Sequence, residues 1–205
     1  MRLSWIDWVV ELQSIAQAGL HYSKDIYDIE RFERIREITA EIISNQSDLP
    51  IEIVKHLFCN EYGYQTPKLD TRAAIFQNGK ILLVKEKSTG TWCLPGGWVD
   101  VNESVKSNTV KEVKEEAGLD VLPTRIIAVQ DRNKHNSPQY AYGICKIFVL
   151  CDIISGSFAP NNETSESGFF CIDELPLLGE EKNTSTQIRM CFDAYHDDDW
   201  VVLFD

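Results

Sequence analysis

Three glutamates stand at helical spacing in the segment "KEVKEEAGL", residues 111–119. Glu112 precedes Glu115 by three positions and Glu116 by four, so a helix would place the three carboxylates on one face. Without a cation, such neighbours repel each other by roughly 0.2–0.5 kcal/mol per pair. Hard divalent cations favour groups of carboxylate oxygens. The spacing therefore predicts a metal-binding face, and the alternative interpretation is an ordinary solvated helix face.

The helix that must position these glutamates has recognisable ends. Ser104 is a suitable N-cap, and Gly118 can adopt the left-handed conformation that often ends a helix. The residues between them form one apolar stripe, which predicts a helix packed on one side with the glutamates on the other. The stripe consists of Val105, Thr109, Val113 and Ala117.

The rest of residues 63–205 is predicted to form a sheet domain. Asn78-Gly79 separates "TRAAIFQ" from "ILLVKEK", and this dipeptide is a strong hairpin signal because it tolerates positive φ at both turn positions. Further strands are predicted in "TRIIAVQD", "GICKIFVLCDII" and "GFFCI", and Ser185 is a candidate cap for a last helix. We predict an α+β class with a mixed sheet sandwiched by helices.

Residues 1–62 are predicted to form a small all-helical domain of three helices. So short a unit buries little apolar surface alone, so we expect it to dock on another surface, such as a second copy in a homodimer. The predicted signals are the stripe Trp5, Val9, Leu12 and Ala16 with a stop at Gly19; the stripe Phe32, Ile35, Thr39 and Ile42 after a start near Asp25 or Asp28; and Asp48 with Pro50 before a helix that ends near Phe58.

Composition excludes several classes of protein. The net charge of −12 disfavours a protein that tracks a nucleic-acid backbone, although bound cations would still admit a phosphate-bearing ligand. The six cysteines are scattered, which disfavours a disulfide framework or a zinc site. No apolar run reaches the ~20 residues of a membrane span, and Asp7 and Glu11 interrupt any signal-peptide core. We expect a cytoplasmic protein without a membrane partner.

The region around the glutamates resembles a known motif. Gly97, five residues, Glu103, seven residues and then "KEVKEEAGL" is similar to the Nudix box, in which six Gly and Glu positions are invariant. At roughly 7% background for each position, a chance match has a probability of about one in ten million per start. Lys111 departs from the family, which has Arg there. Lysine keeps the charge but loses the planar, two-pronged geometry.

The resemblance implies a metal-dependent pyrophosphohydrolase with a Nudix-type fold. Enzymes of this family cleave a nucleoside diphosphate linked to another group by attack of water at phosphorus. Their cofactor would be Mg²⁺, or Mn²⁺ in its place. By resemblance, the metal ligands are Glu112, Glu115 and Glu116, with the Gly97 carbonyl and Glu103 in supporting roles.

A general base outside the box is a further expectation from the family. Glu163 and Glu166, in "NNETSESGFF", are the candidates, and Glu166 ranks slightly ahead because it lies beside a predicted strand. Either glutamate is equally well explained as a solvated loop residue. His135 is the backup candidate because histidine titrates near neutral pH.

Five residues are candidates for contact with the substrate. Arg132, Lys134 and His135 lie in "DRNKHN" and could meet phosphate or base edges, or simply form a polar loop. Trp98 could stack on a nucleobase, although tryptophan is more often part of a core. Arg72 could contact a phosphate, but a surface ion pair is the simpler interpretation.

The segments outside the box resemble a Nudix subgroup with a helical N-terminal domain. They are "YQTPKLDTR", "LPGGWVD", "DRNKHN" and "SESGFFCIDELP". Within this subgroup we place CDP-choline first, cleaved to CMP and phosphocholine, and ADP-ribose second. Hydrolysis at an RNA end and a non-catalytic nucleotide-binding module are the remaining alternatives. Choline would suit an aromatic or acidic pocket. The N-terminal domain offers four aromatic residues that could form such a pocket or equally its own core: Trp5, Trp8, Tyr22 and Tyr27.

Overall fold

The computed structural model describes residues 4–47, 49–59 and 62–205, and they divide into two compact units. The first unit extends through Pro67 and includes Tyr140–Gly143. The second unit comprises Lys68–Gln139 and Ile144–Asp205. The predicted cap Asp48 lies outside the described residues.

The first unit is helical, as predicted. Its helices are α1 (Trp5–Tyr22), α2 (Ile26–Ser47) and α3 (Ile51–Phe58). Asp25 begins α2, because its Oδ1 accepts hydrogen bonds from the amides of Tyr27 and Asp28 at 2.9 and 3.0 Å. A small apolar core joins the three helices, and its buried members are Val9, Ala40, Ile43, Val54 and Phe58.

One expectation for α1 is wrong. The helix does not stop at Gly19, because the ring of Phe32 packs directly on this glycine; a Cβ there would lie 2.5 Å from the ring. The predicted stripe also divides between two environments. Val9 is buried, whereas Leu12 is exposed. The apolar surface of α1 is therefore wider than the contact it makes within its own unit.

The second unit is a mixed sheet. Strands lie in the order β3-β2-β1-β5-β4-β7, and β6 also pairs with β2. The β1–β5 and β4–β7 pairs are parallel, and the others are antiparallel. The elements are β1 (Lys68–Gln77), β2 (Lys80–Glu86), β3 (Trp92–Cys93), α4 (Val105–Ala117), β4 (Leu119–Asp131), α5 (Arg132–His135), β5 (Ile144–Gly156), β6 (Thr164–Phe170), α6 (Ser185–His196) and β7 (Leu203–Phe204).

The sheet is covered by a helix on each face, which confirms the predicted α+β sandwich. Alternate residues of β1 point to opposite faces, so Ala73 packs in the cluster that contains Val113 of α4, whereas Ala74 packs in the cluster that contains Ile188 of α6. The predicted hairpin is present, with φ of +52° at Asn78 and +72° at Gly79. No helix in the described part of the chain is long and apolar enough to cross a membrane.

Candidate active site

Helix α4 has the ends and the buried stripe that its sequence predicts. Ser104 Oγ accepts a hydrogen bond from the amide of Ser107 at 3.1 Å, and Gly118 ends the helix with a φ of +69°. Val113 and Ala117 are buried against the sheet. Because the helix packs on this side, the three glutamates differ in exposure to solvent. Glu116 is buried, Glu112 is half-buried and Glu115 is exposed.

Two glycines bring the backbone before α4 against two of these carboxylates. The Gly96 amide donates a hydrogen bond to Glu116 Oε2 at 2.8 Å. A Cβ on Gly97 would lie only 2.8 Å from Glu112 Oε2. Gly96 has a φ of +141°, and a Cβ there would meet the Thr71 carbonyl at 1.9 Å. Only glycine fits this approach, so the Gly-Gly pair holds Glu112 and Glu116 in place.

Asn108 fastens the same loop to α4, a role that the sequence analysis missed. The side chain is fully buried and donates hydrogen bonds to Thr71 Oγ1 and to the Trp98 carbonyl, both at 3.2 Å. Its Oδ1 accepts a hydrogen bond from the Asp100 amide at 3.1 Å. Asparagine is a poor helix former, so its presence at the fourth residue of α4 was the available signal.

Burial of the carboxylates changes their proton affinity. It raises the pKa of Glu116 to about 7, an effect that Arg72 and the Gly96 amide oppose. Burial also raises the pKa of Glu112, and the charge of Glu115 adds to the effect. These shifts have the sign expected where negative charges are gathered and desolvated. A bound cation would offset both causes, so the donor set fits a hard divalent ion.

The carboxylates of Glu112, Glu115 and Glu116 do not converge on one point where a metal ion could bind. Within the described ranges, no three Asp, Glu, His or Cys side chains form a ready metal-binding group. Glu116 is turned to the Gly96 amide, and Glu115 lies 3.9 Å from the Lys111 ammonium. Glu103 is exposed in the preceding turn, with its amide bonded to the Asp100 carbonyl at 2.9 Å.

Gly97 already uses its carbonyl in the fold. The oxygen accepts a hydrogen bond from the Thr71 amide of β1 at 2.9 Å. A carbonyl oxygen has two lone pairs, so this bond leaves one of them for the predicted role as a metal ligand. That role stays a prediction.

Arg72 forms a buried ion pair rather than the predicted surface pair. Its Nε and Nη2 donate to the two carboxylate oxygens of Asp70 at 3.0 and 2.7 Å, and its Nη1 donates to the Leu94 carbonyl at 3.4 Å. Both charged side chains are almost fully buried. The positive charge of the arginine offsets part of the rise in the pKa of Glu112 and of Glu116. This placement favours an electrostatic role behind the carboxylates over the predicted phosphate contact.

The two candidate bases have different surroundings. Glu163 directly precedes Thr164, whose hydroxyl group donates a hydrogen bond to the Glu116 carbonyl at the end of α4. The charge of Glu163 makes a minor contribution to the raised pKa of Glu112. Glu166 instead forms an ion pair with Lys85, with 2.8 Å between Oε1 and Nζ. The structure therefore favours Glu163, which reverses the order that the sequence analysis gave. The assignment of a base stays a prediction for both residues.

The three candidates in "DRNKHN" lie in the short helix α5 and have different surroundings. Arg132 is buried, and its guanidinium donates to the carbonyls of Pro138 and Glu181, so it supports the fold and is not placed for the predicted substrate contact. Lys134 is exposed. His135 Nε2 lies 2.6 Å from a carboxylate oxygen of Asp205, a partner that the sequence analysis did not foresee.

Trp98 is not part of the core, contrary to the simpler of its two interpretations. About half of its surface is exposed (47%), directly after Gly97. Its backbone forms an isolated antiparallel bridge with Asp70 of β1. An exposed aromatic ring one residue after Gly97 is compatible with stacking on a nucleobase, which stays a prediction.

Comparisons with known proteins agree with this geometry. Residues 4–58 match the family described as "UDP-X-like, N-terminal oligomerisation domain", and residues 67–190 match the NUDIX domain. The chain is 40% identical to the Bacillus subtilis (strain 168) protein named "Putative ADP-ribose pyrophosphatase YjhB", over 100% of this chain and 99% of the relative.

Two solved structures share the fold at substantial identity. An ADP-ribose pyrophosphatase from Streptococcus suis 89-1591 has 54% identity and a TM-score of 0.64, covering 68% of this chain and 100% of that one. A UDP-X diphosphatase has 33% identity and a TM-score of 0.65, with 97% of each chain covered. The chain therefore belongs to the Nudix family and is a hydrolase that acts on phosphoanhydride bonds.

Proposed function

We propose that the chain hydrolyses the pyrophosphate bond of ADP-ribose, giving AMP and ribose phosphate. The main support for the reaction is the meeting of the Gly96-Gly97 backbone with the carboxylates of Glu112 and Glu116. The support for the substrate is the full-length similarity to the Bacillus subtilis protein, whose name contains this activity.

Glu112, Glu115 and Glu116 would hold Mg²⁺ or Mn²⁺, with Gly97 and Glu103 in supporting positions. When bound, such a cation supplies positive charge that screens the pyrophosphate and lowers the pKa of a water molecule. The oxygen-only donor set suits a hard cation. The positive charge of Arg72 favours the charged form of Glu112 and Glu116, because it offsets part of the rise in pKa that burial causes.

Glu163 would act as the general base. Its carboxylate takes a proton from the water whose oxygen bonds to phosphorus, while the bridging phosphorus–oxygen bond breaks and the leaving phosphate keeps that electron pair. The loop that carries Glu163 supports this role, because the hydroxyl group of the next residue, Thr164, donates a hydrogen bond to the Glu116 carbonyl. Trp98 and Lys134 are the exposed candidates for contact with the base and the phosphates of the substrate.

A UDP-linked substrate is the second candidate. It is favoured by the solved UDP-X diphosphatase, which matches the chain over nearly its full length, and by the family of residues 4–58. CDP-choline, which the sequence analysis placed first, has no support from these comparisons. Trp5, Trp8 and Tyr22, which the sequence offered for a choline pocket or for a core, are exposed in the first unit and do not form its core. The net charge of −12 disfavours an extended RNA substrate.

A substrate panel tests the proposal. The full chain is supplied with Mg²⁺ or Mn²⁺ and incubated with ADP-ribose, a UDP-sugar or CDP-choline, and the products are separated. AMP with ribose phosphate as the preferred products would support the first candidate, and UMP with a sugar phosphate the second. Release of CMP and phosphocholine at the highest kcat/KM would restore the original first choice. Absence of turnover for every diphosphate would overturn the proposed reaction.

We also propose that the chain forms a homodimer through its N-terminal helices. Exposed apolar residues recur along α1 at intervals of three, four and three, which is the pattern of a helix–helix contact seam. Monomeric proteins rarely leave such a stripe in water. The stripe consists of Trp5, Trp8, Leu12 and Ile15, whose exposed fractions are between 40% and 53%.

A further inference from the structure

The loop before β6 is attached to the end of the carboxylate helix at one atom. Thr164 Oγ1 donates a hydrogen bond to the backbone carbonyl of Glu116 at 2.7 Å, and Asn161 Nδ2 donates to the same oxygen at 3.2 Å. Carbonyls in the last turn of a helix lack partners within the helix. The loop therefore binds an acceptor that α4 itself cannot satisfy.

The side chain of Asn161 also organises the loop internally. Its Oδ1 accepts hydrogen bonds from the amides of Glu163 and Thr164 at 2.9 and 2.8 Å, and its Nδ2 contacts Thr164 Oγ1 at 2.6 Å. The Glu163 carbonyl accepts a hydrogen bond from the Lys87 amide at 2.8 Å. The backbone of Glu163 is thus held on both of its polar sides.

Glu116 is consequently fixed from two directions. Its carboxylate receives the Gly96 amide, and its carbonyl receives Thr164 and Asn161. Thr164 is fully buried, so water does not compete for its hydroxyl group. A shift of the loop would therefore change the distance between Glu163 and the carboxylates of α4.

We propose that Asn161 and Thr164 are positioning residues that hold Glu163 at a fixed distance from the carboxylate face of α4. The inference rests on the proposed function, because it takes Glu163 as the general base. Neither residue touches the substrate or the reacting atoms. Each acts through the Glu116 carbonyl and the Glu163 backbone. Their loss should matter because misplacement of a catalytic group by about 1 Å can cost roughly 100-fold in rate.

Substitutions of the two residues test the proposal in the full chain, with the preferred substrate of the panel and saturating Mg²⁺. Thr164→Val keeps the shape and removes the hydroxyl group, and Asn161→Ala removes the amide. We expect kcat to fall about 10- to 100-fold in each variant, with KM changed less than threefold. Thr164→Ser should restore kcat, because serine retains the donor. Ser165→Ala is the matched control, since Ser165 Oγ bonds to the Lys85 carbonyl at 3.3 Å and not to α4.

Combination with Glu163→Gln separates positioning from a general loss of structure. If Asn161 and Thr164 act by positioning Glu163, Thr164→Val and Asn161→Ala should add no further loss of kcat in the Glu163→Gln background. Multiplicative losses in that background, or a change in KM in place of kcat, would overturn the proposal. Full activity of Glu163→Gln alone would overturn both the assignment of Glu163 as the base and the positioning role of Asn161 and Thr164. Inactivity of the unmodified chain on the whole panel would instead refute the proposed reaction.

Discussion

Lys111 places its ammonium 2.6 Å from a carboxylate oxygen of Asp100 and 3.9 Å from Glu115. Lysine stands here at the box position where the family has arginine. The hydrogen bond to Asp100 raises the pKa of Lys111, and Glu115 adds to the effect. The ammonium is thus shared between the turn before α4 and the carboxylate face.

Replacement of Asp100 should weaken the binding of metal. In Asp100→Asn, the ammonium of Lys111 loses its nearest anion. Glu115 is then its remaining carboxylate partner, and the ammonium competes with the metal ion for this side chain. We expect the Mg²⁺ concentration for half-maximal activity to rise about two- to fivefold, with little change in stability because exposed pairs contribute little. Asp120→Asn is the control, since Lys114 of α4 and Asp120 of β4 form a similar exposed pair at 2.8 Å. An equal change in both variants would contradict the prediction.

The contact of Gly97 with Glu112 predicts a variant that is stable but impaired. In Gly97→Ala, the new methyl group would lie 2.8 Å from Glu112 Oε2 and displace the carboxylate. We expect kcat/KM to fall about 10- to 100-fold, with a small change in the melting temperature because Gly97 does not have a positive φ.

Gly90→Ala should show the opposite behaviour and serves as the control for Gly97→Ala. Gly90 has a φ of +70° with open space around its Cβ position, so alanine there is strained but meets no neighbour. We expect a loss of about 1 kcal/mol in the free energy of unfolding, with unchanged activity. If Gly97→Ala retained full activity, the glycine would not be required for the placement of Glu112.

Burial of Glu116 predicts a dependence of stability on pH in metal-free protein. The folded chain holds this proton up to a pKa of about 7, whereas the ordinary value is 4.5. Folding therefore takes up a proton between these values, and the free energy of unfolding should fall as the pH rises through this window, by up to about 3 kcal/mol. Above pH 7 the whole cost is present. Urea unfolding in EDTA at pH 5 and pH 7 measures the difference.

Glu116→Gln should remove most of this fall, because glutamine does not ionise. Lys146 does not mask the effect. Burial lowers the pKa of Lys146 to about 7 from 10.5, so stability from this group increases with pH only between those values. The same decline in stability for Glu116→Gln and the unmodified chain between pH 5 and 7 would show that another group is responsible.

Local features of the sequence predicted the elements well. The caps and stripe of α4 and the Asn78-Gly79 hairpin depend on residues close together in the chain, so their periodicity and turn chemistry are sufficient. The same reasoning failed where a partner is distant. Gly19 was taken as a helix stop because a sequence does not show that Phe32 would pack on it.

The site was only partly predictable for the same reason. The three glutamates share one helix, so their spacing is informative. Thr164 and Glu116, by contrast, are 48 positions apart, and nothing in the sequence predicts their hydrogen bond. The burial of Arg72 depends on the layers around β1, which explains why a surface ion pair was expected for this residue. The preference between Glu163 and Glu166 also required the position of Lys85.

The exposed stripe of α1 predicts how the oligomeric state will respond to mutation. Leu12 lies within this stripe and is 40% exposed, and the family of residues 4–58 is described as an oligomerisation domain. Leu12→Glu places a charge in the proposed contact, where it would lose its water. We expect light scattering to detect a dimer for the unmodified chain and a monomer for the variant, at the same concentration. Lys80→Glu, at the exposed hairpin of the second unit, is the control and should remain dimeric. A dimer that persists in Leu12→Glu would place the contact elsewhere.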